Sequence, residues 1–428
     1  MDNRFREVAP AWGNIRMPEM PEYVSERLDN GVMLHVMRGG HQPIVKVDIS
    51  IAAGSLRADR ALVASATAEL LSEGTRRRGA QEIAEVVDFY GAHTWAESSA
   101  AQMSFAAVSL EKDLRAVVDI VSEVLREPAF PEREVELYKA QELQTFDMKM
   151  MRTPFLASRA LLELLYAPGR YSRYARREDY GALCPEVLRE FHAMAYRPNG
   201  THIFVSGRPK DEDVDYIAKV FGGSDWEEGE AWEAPGPEYN EGAGRRMIEY
   251  DSEQTSVKMA RSTFTRGHRD NLPLQMANAA FGGYFGSRLM QNVRERLGLT
   301  YGIYSVATAN RSRGTHTITS EVKAGSHGRV VEEIFREMER MGSSLLSDKE
   351  METLRGYMMG EVLHYFETIM TSADTVFSLL LDGVTEGYIR DLFEVARDIT
   401  ASEIRDVAGR WFRPEEYSVV CVGRGVGD

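Results

Sequence analysis

Apolar and polar residues alternate through Val45–Ala52, the two-residue period of a strand with one buried face, and Gln102–Ser109 is also strand-like. Leu62–Leu71, Glu82–Tyr90 and Glu111–Leu125 instead repeat their apolar positions every three or four residues, which predicts helices. Leu28-Asp29-Asn30-Gly31 reads as a turn between extended segments. Phe130-Pro131 opens a helical tract that runs to about Leu165. Pro154 interrupts it, because a proline inside a helix removes a donor and clashes with the preceding turn; a break or a new helix start is expected there. Strands and helices fall in segregated runs rather than strict alternation, so the fold class is α+β.

The pattern also repeats. VLREFHAMAYRPNGTHIFVSGRP (187–209) returns as EIRDVAGRWFRPEEYSVVCVGRG (403–425), pairing Arg189 with Arg405, Tyr196 with Phe412, Arg197-Pro198 with Arg413-Pro414 and Gly207-Arg208 with Gly423-Arg424 at a constant spacing of 216. Earlier, QPIVKVDIS (42–50) matches QTSVKMARS (254–262), sharing Gln, Val, Lys and Ser at a spacing of 212. Two matches in the same order point to a duplicated unit of about 210 residues. Two similar α/β halves, 1–221 and 245–428, are therefore expected, each with an antiparallel-rich sheet flanked by helices. Residues 222–244 between them are rich in Gly, Pro and Glu, the composition of a linker.

Composition narrows the function classes. The 428 residues are 43% hydrophobic and 27% charged, which fits a folded chain of two to four ordinary domains and excludes wholesale disorder. Fifteen excess acidic charges, with basic clusters only as short as Arg76–Arg78, argue against nucleic acid or an anionic membrane as partner. Apolar runs such as Phe377–Leu381 are far too short to span a bilayer, and the first twenty residues hold no hydrophobic leader. Cys184 and Cys421 are too few for a disulfide framework and suit a reducing compartment. A cytoplasmic location is the expectation.

The common catalytic signatures are missing. Of the nine histidines no two stand closer than six residues, so no helix face offers an i, i+4 imidazole pair for zinc. Two distant cysteines make no CxxC site, and no G-x-S-x-G elbow, P-loop or dinucleotide glycine motif occurs. One constellation remains, FGGYFGSRLMQNVRERLGLTYGIYS (281–305). Leu289, Met290, Val293 and Leu297 have helical spacing, Gly298 is placed to end the helix, and a strand follows. Arg294 on the last turn and Tyr301 at the strand start could share one opening and donate hydrogen bonds to a carbonyl or its oxyanion. Spacing alone leaves a second reading open, with Arg294 paired to Glu332 or Glu333 and Tyr301 filling a core edge.

LDNGVMLHVMRGGHQPIVKVDISIAAGS (28–55), YRPNGTHIFVSG and the 281–305 segment together resemble the pitrilysin/insulinase (inverzincin) metallopeptidases, in the short-chain branch of the mitochondrial processing peptidases and bacterial heterodimeric relatives. The resemblance runs over nearly the whole chain and implies the same two-half fold. It also implies a loss. Aligned on ELLSEGT, the two histidines of the family's H-x-x-E-H fall on Ser65 and Glu69, its general base on Ala68, and its distal glutamate ligand on Thr145. The family's Asn-Ala on the substrate-edge strand reads Trp95-Ala96. By contrast, the Arg and Tyr of R-E-x-x-G-L-x-Y correspond to Arg294 and Tyr301 in RERLGLTY, a pair that in the family binds substrate backbone near the scissile bond.

The resemblance therefore implies a chain with no zinc of its own, the Arg/Tyr-bearing subunit of a heterodimeric peptidase whose zinc sits in a homologous partner. The alternative is a non-catalytic peptide-binding or assembly protein acting as a homodimer. Catalysis by Ser65 and Glu69 is the weakest reading, since no histidine or lysine is placed by sequence to activate the serine. A ligand-position Glu69 facing inward would be a buried carboxylate.

Overall fold

The computed structural model describes residues 15–427, so the first fourteen residues of the leader reading lie outside it. Two mixed sheets organise the chain. The first holds β1 (Tyr23–Arg27), β2 (Met33–Arg38), β3 (Ile44–Ile51), β4 (His93–Ser98), β5 (Met103–Leu110) and β6 (His202–Gly207) in the order β1-β2-β6-β3-β5-β4. The second holds β7 (Arg245–Glu249), β8 (Gln254–Ser262), β9 (Thr300–Ala309), β10 (Gly314–Lys323) and β11 (Ser418–Gly423) in the order β7-β11-β8-β10-β9. Neighbours are antiparallel except for β2 with β6 and β7 with β11.

Helices fill the intervals. In the first half they are α1 (Val63–Glu69), α2 (Ala80–Phe89), α3 (Leu114–Arg126), α4 (Glu132–Met150), α5 (Thr153–Leu165), α6 (Arg177–Gly181), α7 (Pro185–Ala195) and α8 (Asp211–Phe221). In the second they are α9 (Asn271–Asn278), α10 (His327–Ser343), α11 (Asp348–His364), α12 (Ile369–Leu381), α13 (Gly387–Asp398) and α14 (Ala401–Trp411). Pro154 does start a helix: it is the second residue of α5, where its missing N–H breaks no intrahelical bond.

The repeat is visible in three dimensions. The pair α7–β6 recurs as α14–β11 at the spacing of 216, and β3 recurs as β8 with Lys46 answered by Lys258. Gly207, at the end of the repeated strand, has φ +109 and lies so close to β3 that a Cβ would meet the Ile44 carbonyl oxygen at 2.2 Å, so only glycine fits. Each sheet has its own apolar core on one face. Val117, Val121, Val124 and Leu125 of α3 pack with Val45, Val47 and Ile49 of β3, and Val330, Ile334 and Met338 of α10 pack with Val257 and Met259 of β8.

The opposite faces are covered by exchange. Ala157, Ala160 and Leu161 of α5 pack on Ala260, Val420 and Val422 of the second sheet. Ala373, Val376 and Phe377 of α12 pack on Met37 and Phe204 of the first. The starts of α5 and α12 are again 216 apart, so the crossing is part of the duplicated pattern. An ion pair ties the second crossing: Lys46 of β3 is bonded to Asp374 of α12 and lies 3.0 Å from Asp48. Residues 222–244 are mostly irregular but anchored, with Trp226 buried and its indole N–H donating to the Tyr196 carbonyl at 3.1 Å.

Candidate functional site: a cleft holding Arg294 and Tyr301

In the first half, α1 and α4 carry the positions where the family resemblance places zinc. Ala68 is buried at 1% exposure, and the Ser65 hydroxyl donates to the Leu62 carbonyl at 3.0 Å. Glu69 departs from expectation: it is open to solvent, not buried, on a side of the last turn of α1 that none of the described residues covers, while Ala68 and Leu70 beside it are enclosed. Its carboxyl is nevertheless pushed up, first by partial loss of water and then by Glu142 of α4, against which Lys149 acts. Thr145 is half-buried one turn further along α4. Glu142 is the nearby acid that sequence alignment did not single out; it lies three residues before Thr145, on the same helical surface. Burial, then Glu69 and Glu142, push the Tyr138 phenol above its ordinary value.

These residues do not fit zinc. A catalytic zinc needs three protein ligands and a water, whereas Glu69 and Glu142 offer two mutually repelling carboxylates and no imidazole or thiolate. Among the described residues no group of three or more His, Cys, Asp or Glu side chains could hold a metal ion.

The second half is built differently. After α9 the chain passes through two π-helical turns, Ala279–Gly283 and Met290–Arg296. In the latter the Leu297 N–H bonds back five residues to the Asn292 carbonyl at 3.0 Å. Leu289, Met290 and Val293 are fully buried, as their spacing predicts, whereas Leu297, the fourth position, is only partly buried at the helix end. Gly298 ends the helix in the left-handed region, φ +60, with its N–H on the Arg294 carbonyl at 3.1 Å. β9 follows, and it is the outer edge of its sheet.

Arg294 and Tyr301 line one cleft of about 840 Å³ between the β8–β10–β9 corner and the turn joining α4 to α5. Arg294 is not paired with Glu332 or Glu333. Glu333 instead accepts from Asn292 at 3.1 Å and binds Arg336. The Arg294 guanidinium rests 4.7 Å over the Phe285 ring and makes no hydrogen bond or ion pair among the described residues. Tyr301 is 88% exposed, so it fills no core edge. Two donors without acceptors among the described residues thus face the same opening, able to receive a carbonyl or oxyanion. Arg152, Lys323 and Glu321 line the cleft too; Arg152 comes from the turn joining α4 to α5 and the other two from the end of β10, and nothing in their local sequence marks them.

The pseudo-equivalent corner of the first half holds a matching cleft of about 860 Å³, bounded by Lys46, Trp95 and the turn joining α11 to α12. Trp95 lies on the edge strand β4, with Lys46 Nζ 5.6 Å from its ring centroid.

A duplicated pair of sheets, a first half stripped of imidazole at the ligand positions and a second half with a free arginine and tyrosine at a cleft define a peptidase-like protein. Family models agree: "Insulinase (Peptidase family M16)" matches residues 38–168 and "Peptidase M16 inactive domain" matches residues 183–357. The chain belongs to the M16, or insulinase, family. It is 24% identical over 361 residues to the uncharacterized zinc protease YmxG of Bacillus subtilis, covering 82% of this chain and 85% of that one. It is 22% identical over 349 residues to the non-peptidase homolog YmxG of Helicobacter pylori, covering 79% of each. A solved peptidase M16 inactive domain from Pseudomonas fluorescens superposes with TM-score 0.87 at 21% identity, over 95% of this chain and 98% of that one. No helix among the described residues is long and apolar enough to cross a membrane.

Proposed function

We propose that this chain is the zinc-less subunit of a heterodimeric M16-type peptidase. It binds unfolded peptide in its cleft and presents Arg294 and Tyr301 to the scissile carbonyl, while a homologous partner contributes the zinc site. The observation that carries the reading is the Arg294–Tyr301 cleft itself, with a guanidinium free of any carboxylate beside an exposed phenol. A pure scaffold has no need of two unsatisfied donors at one opening. The peptide would lie extended, held by main-chain hydrogen bonds at a free strand edge, and the two side chains would stabilise charge on its carbonyl oxygen.

The test is to isolate the chain with its native companions and assay zinc and peptidase activity together and apart. The expected result is a stable complex with a similar-sized H-x-x-E-H protein, active only when both are present. A self-associated dimer with no affinity for such a partner would favour the assembly-protein reading instead.

A further inference from the structure

The two clefts are copies of one architectural corner, yet their charges are arranged oppositely. In the first-half cleft the lysine is spoken for: Lys46 is held by Asp48 and Asp374, and its side chain is 9% exposed. In the second-half cleft the cations are unclaimed. Arg152, Arg294 and Lys323 all line it, and none makes a side-chain hydrogen bond or ion pair with a described residue. The lining acids are Glu253 and Glu321. Glu321 is already engaged, accepting from Ser256 at 2.7 Å and feeling the charge of Lys258 behind it on β8. Three unpaired cations therefore face two carboxylates, one of them held by Ser256, in a protein whose net charge is −15. A locally cationic cleft on an acidic molecule focuses the field for an anionic group. Arginine and lysine together suit a carboxylate, arginine by its planar fork and lysine as a point charge.

We infer that this cleft selects peptides by a carboxylate, held by Arg152 and Lys323 beside the carbonyl that Arg294 and Tyr301 would grip. The inference rests on the peptide-binding reading above and adds its substrate class. The carboxylate is either an Asp or Glu side chain or a free C-terminus; both present the same chemistry.

The experiment is equilibrium binding of fluorescent peptides to the purified chain, by anisotropy. Three unfolded peptides share a neutral core: one carries acidic side chains and an amidated end, one a free C-terminus, one neither. At about 0.1 M salt, where charges interact over roughly 10 Å, at least one carboxylate peptide should bind some fivefold or more tightly than the neutral amide. Near 1 M salt, with a screening length of roughly 3 Å, the advantage should collapse. Preference for the acidic side chains or for the free end identifies the source, and either supports the proposal. Arg152→Gln with Lys323→Gln should erase the preference while neutral-peptide binding and the circular dichroism spectrum stay unchanged. Equal binding of all three peptides, or a preference that survives the double substitution, overturns it. The two ideas fail separately. Cleavage by the reconstituted pair that depends on Arg294 without any carboxylate preference sinks only the substrate class. A carboxylate preference in a chain whose Arg294→Ala and Tyr301→Phe variants support full cleavage sinks only the clamp.

Discussion

Replacing Phe377 by alanine tests whether the exchanged helices make the two sheets one cooperative unit. Phe377 belongs by sequence to the second half but packs on the first sheet, its ring 5.4 Å from Phe204 and 6.5 Å from His35, at 8% exposure. Truncating a buried phenylalanine costs about 3–5 kcal/mol, and the slightly exposed ring argues for the lower end, about 3 kcal/mol. With an unfolding entropy of roughly 2.1 cal/mol/K per residue, 428 residues unfolding together give about 0.9 kcal/mol/K, so Tm should fall by about 3 °C. Differential scanning calorimetry reads the result directly. A single transition displaced by about that amount is expected. Two resolved transitions of which only one moves, by a much larger step, would refute the coupling, because a single half losing the same free energy has about half the entropy to absorb it.

Other consequences follow from the same geometry. His35 and His316 are buried and His192 is partly buried, and loss of water pulls their imidazoles down to about 4, 3 and 4 respectively. Unfolding lets each take a proton near pH 6.5, so their contribution to stability is complete above that pH and is lost as pH falls toward 4, with a combined slope of up to about 4 kcal/mol per pH unit. Denaturant unfolding at stepped pH should show this, and His316→Gln should flatten it by about a third; a pH-independent midpoint would count against it. Gly298→Ala should cost about 1–2 kcal/mol in chemical denaturation, since φ +60 disfavours an L side chain although a Cβ there meets no atom within 4 Å; no loss would mean the turn relaxes freely. Converting Ser65 and Glu69 to histidine and Thr145 to glutamate should create near-stoichiometric zinc binding by metal analysis, and none would show that these three positions do not converge.

Much of this is legible in the amino-acid sequence, for local reasons. Alternation placed β3, and a strand-like segment β5, within a residue; Pro154 marked the start of α5, and Gly298 ends its helix because the left-handed region is open to glycine. What escaped was long-range. Nothing in the periodicity of ALLELL (160–165) says which sheet a helix will cover, so the crossing of α5 and α12 and the Lys46–Asp374 contact are invisible in the chain order. The candidate site divides the same way. Arg294 and Tyr301 sit seven residues apart across one turn and could be found together, while Arg152 and Lys323 reach the cleft from segments far away. Glu69 differs from the inward-facing expectation because a motif position fixes the helix but not which of its sides neighbouring elements cover: Ala68 and Leu70 are buried while Glu69 between them is exposed.

The most direct measurement is turnover of an unfolded peptide by the chain reconstituted with its zinc-bearing relative, comparing wild type with Arg294→Ala and Tyr301→Phe. Loss of an oxyanion donor predicts a fall in kcat of roughly 10²–10³ with assembly and partner zinc intact. Unchanged kcat in both variants would contradict the account.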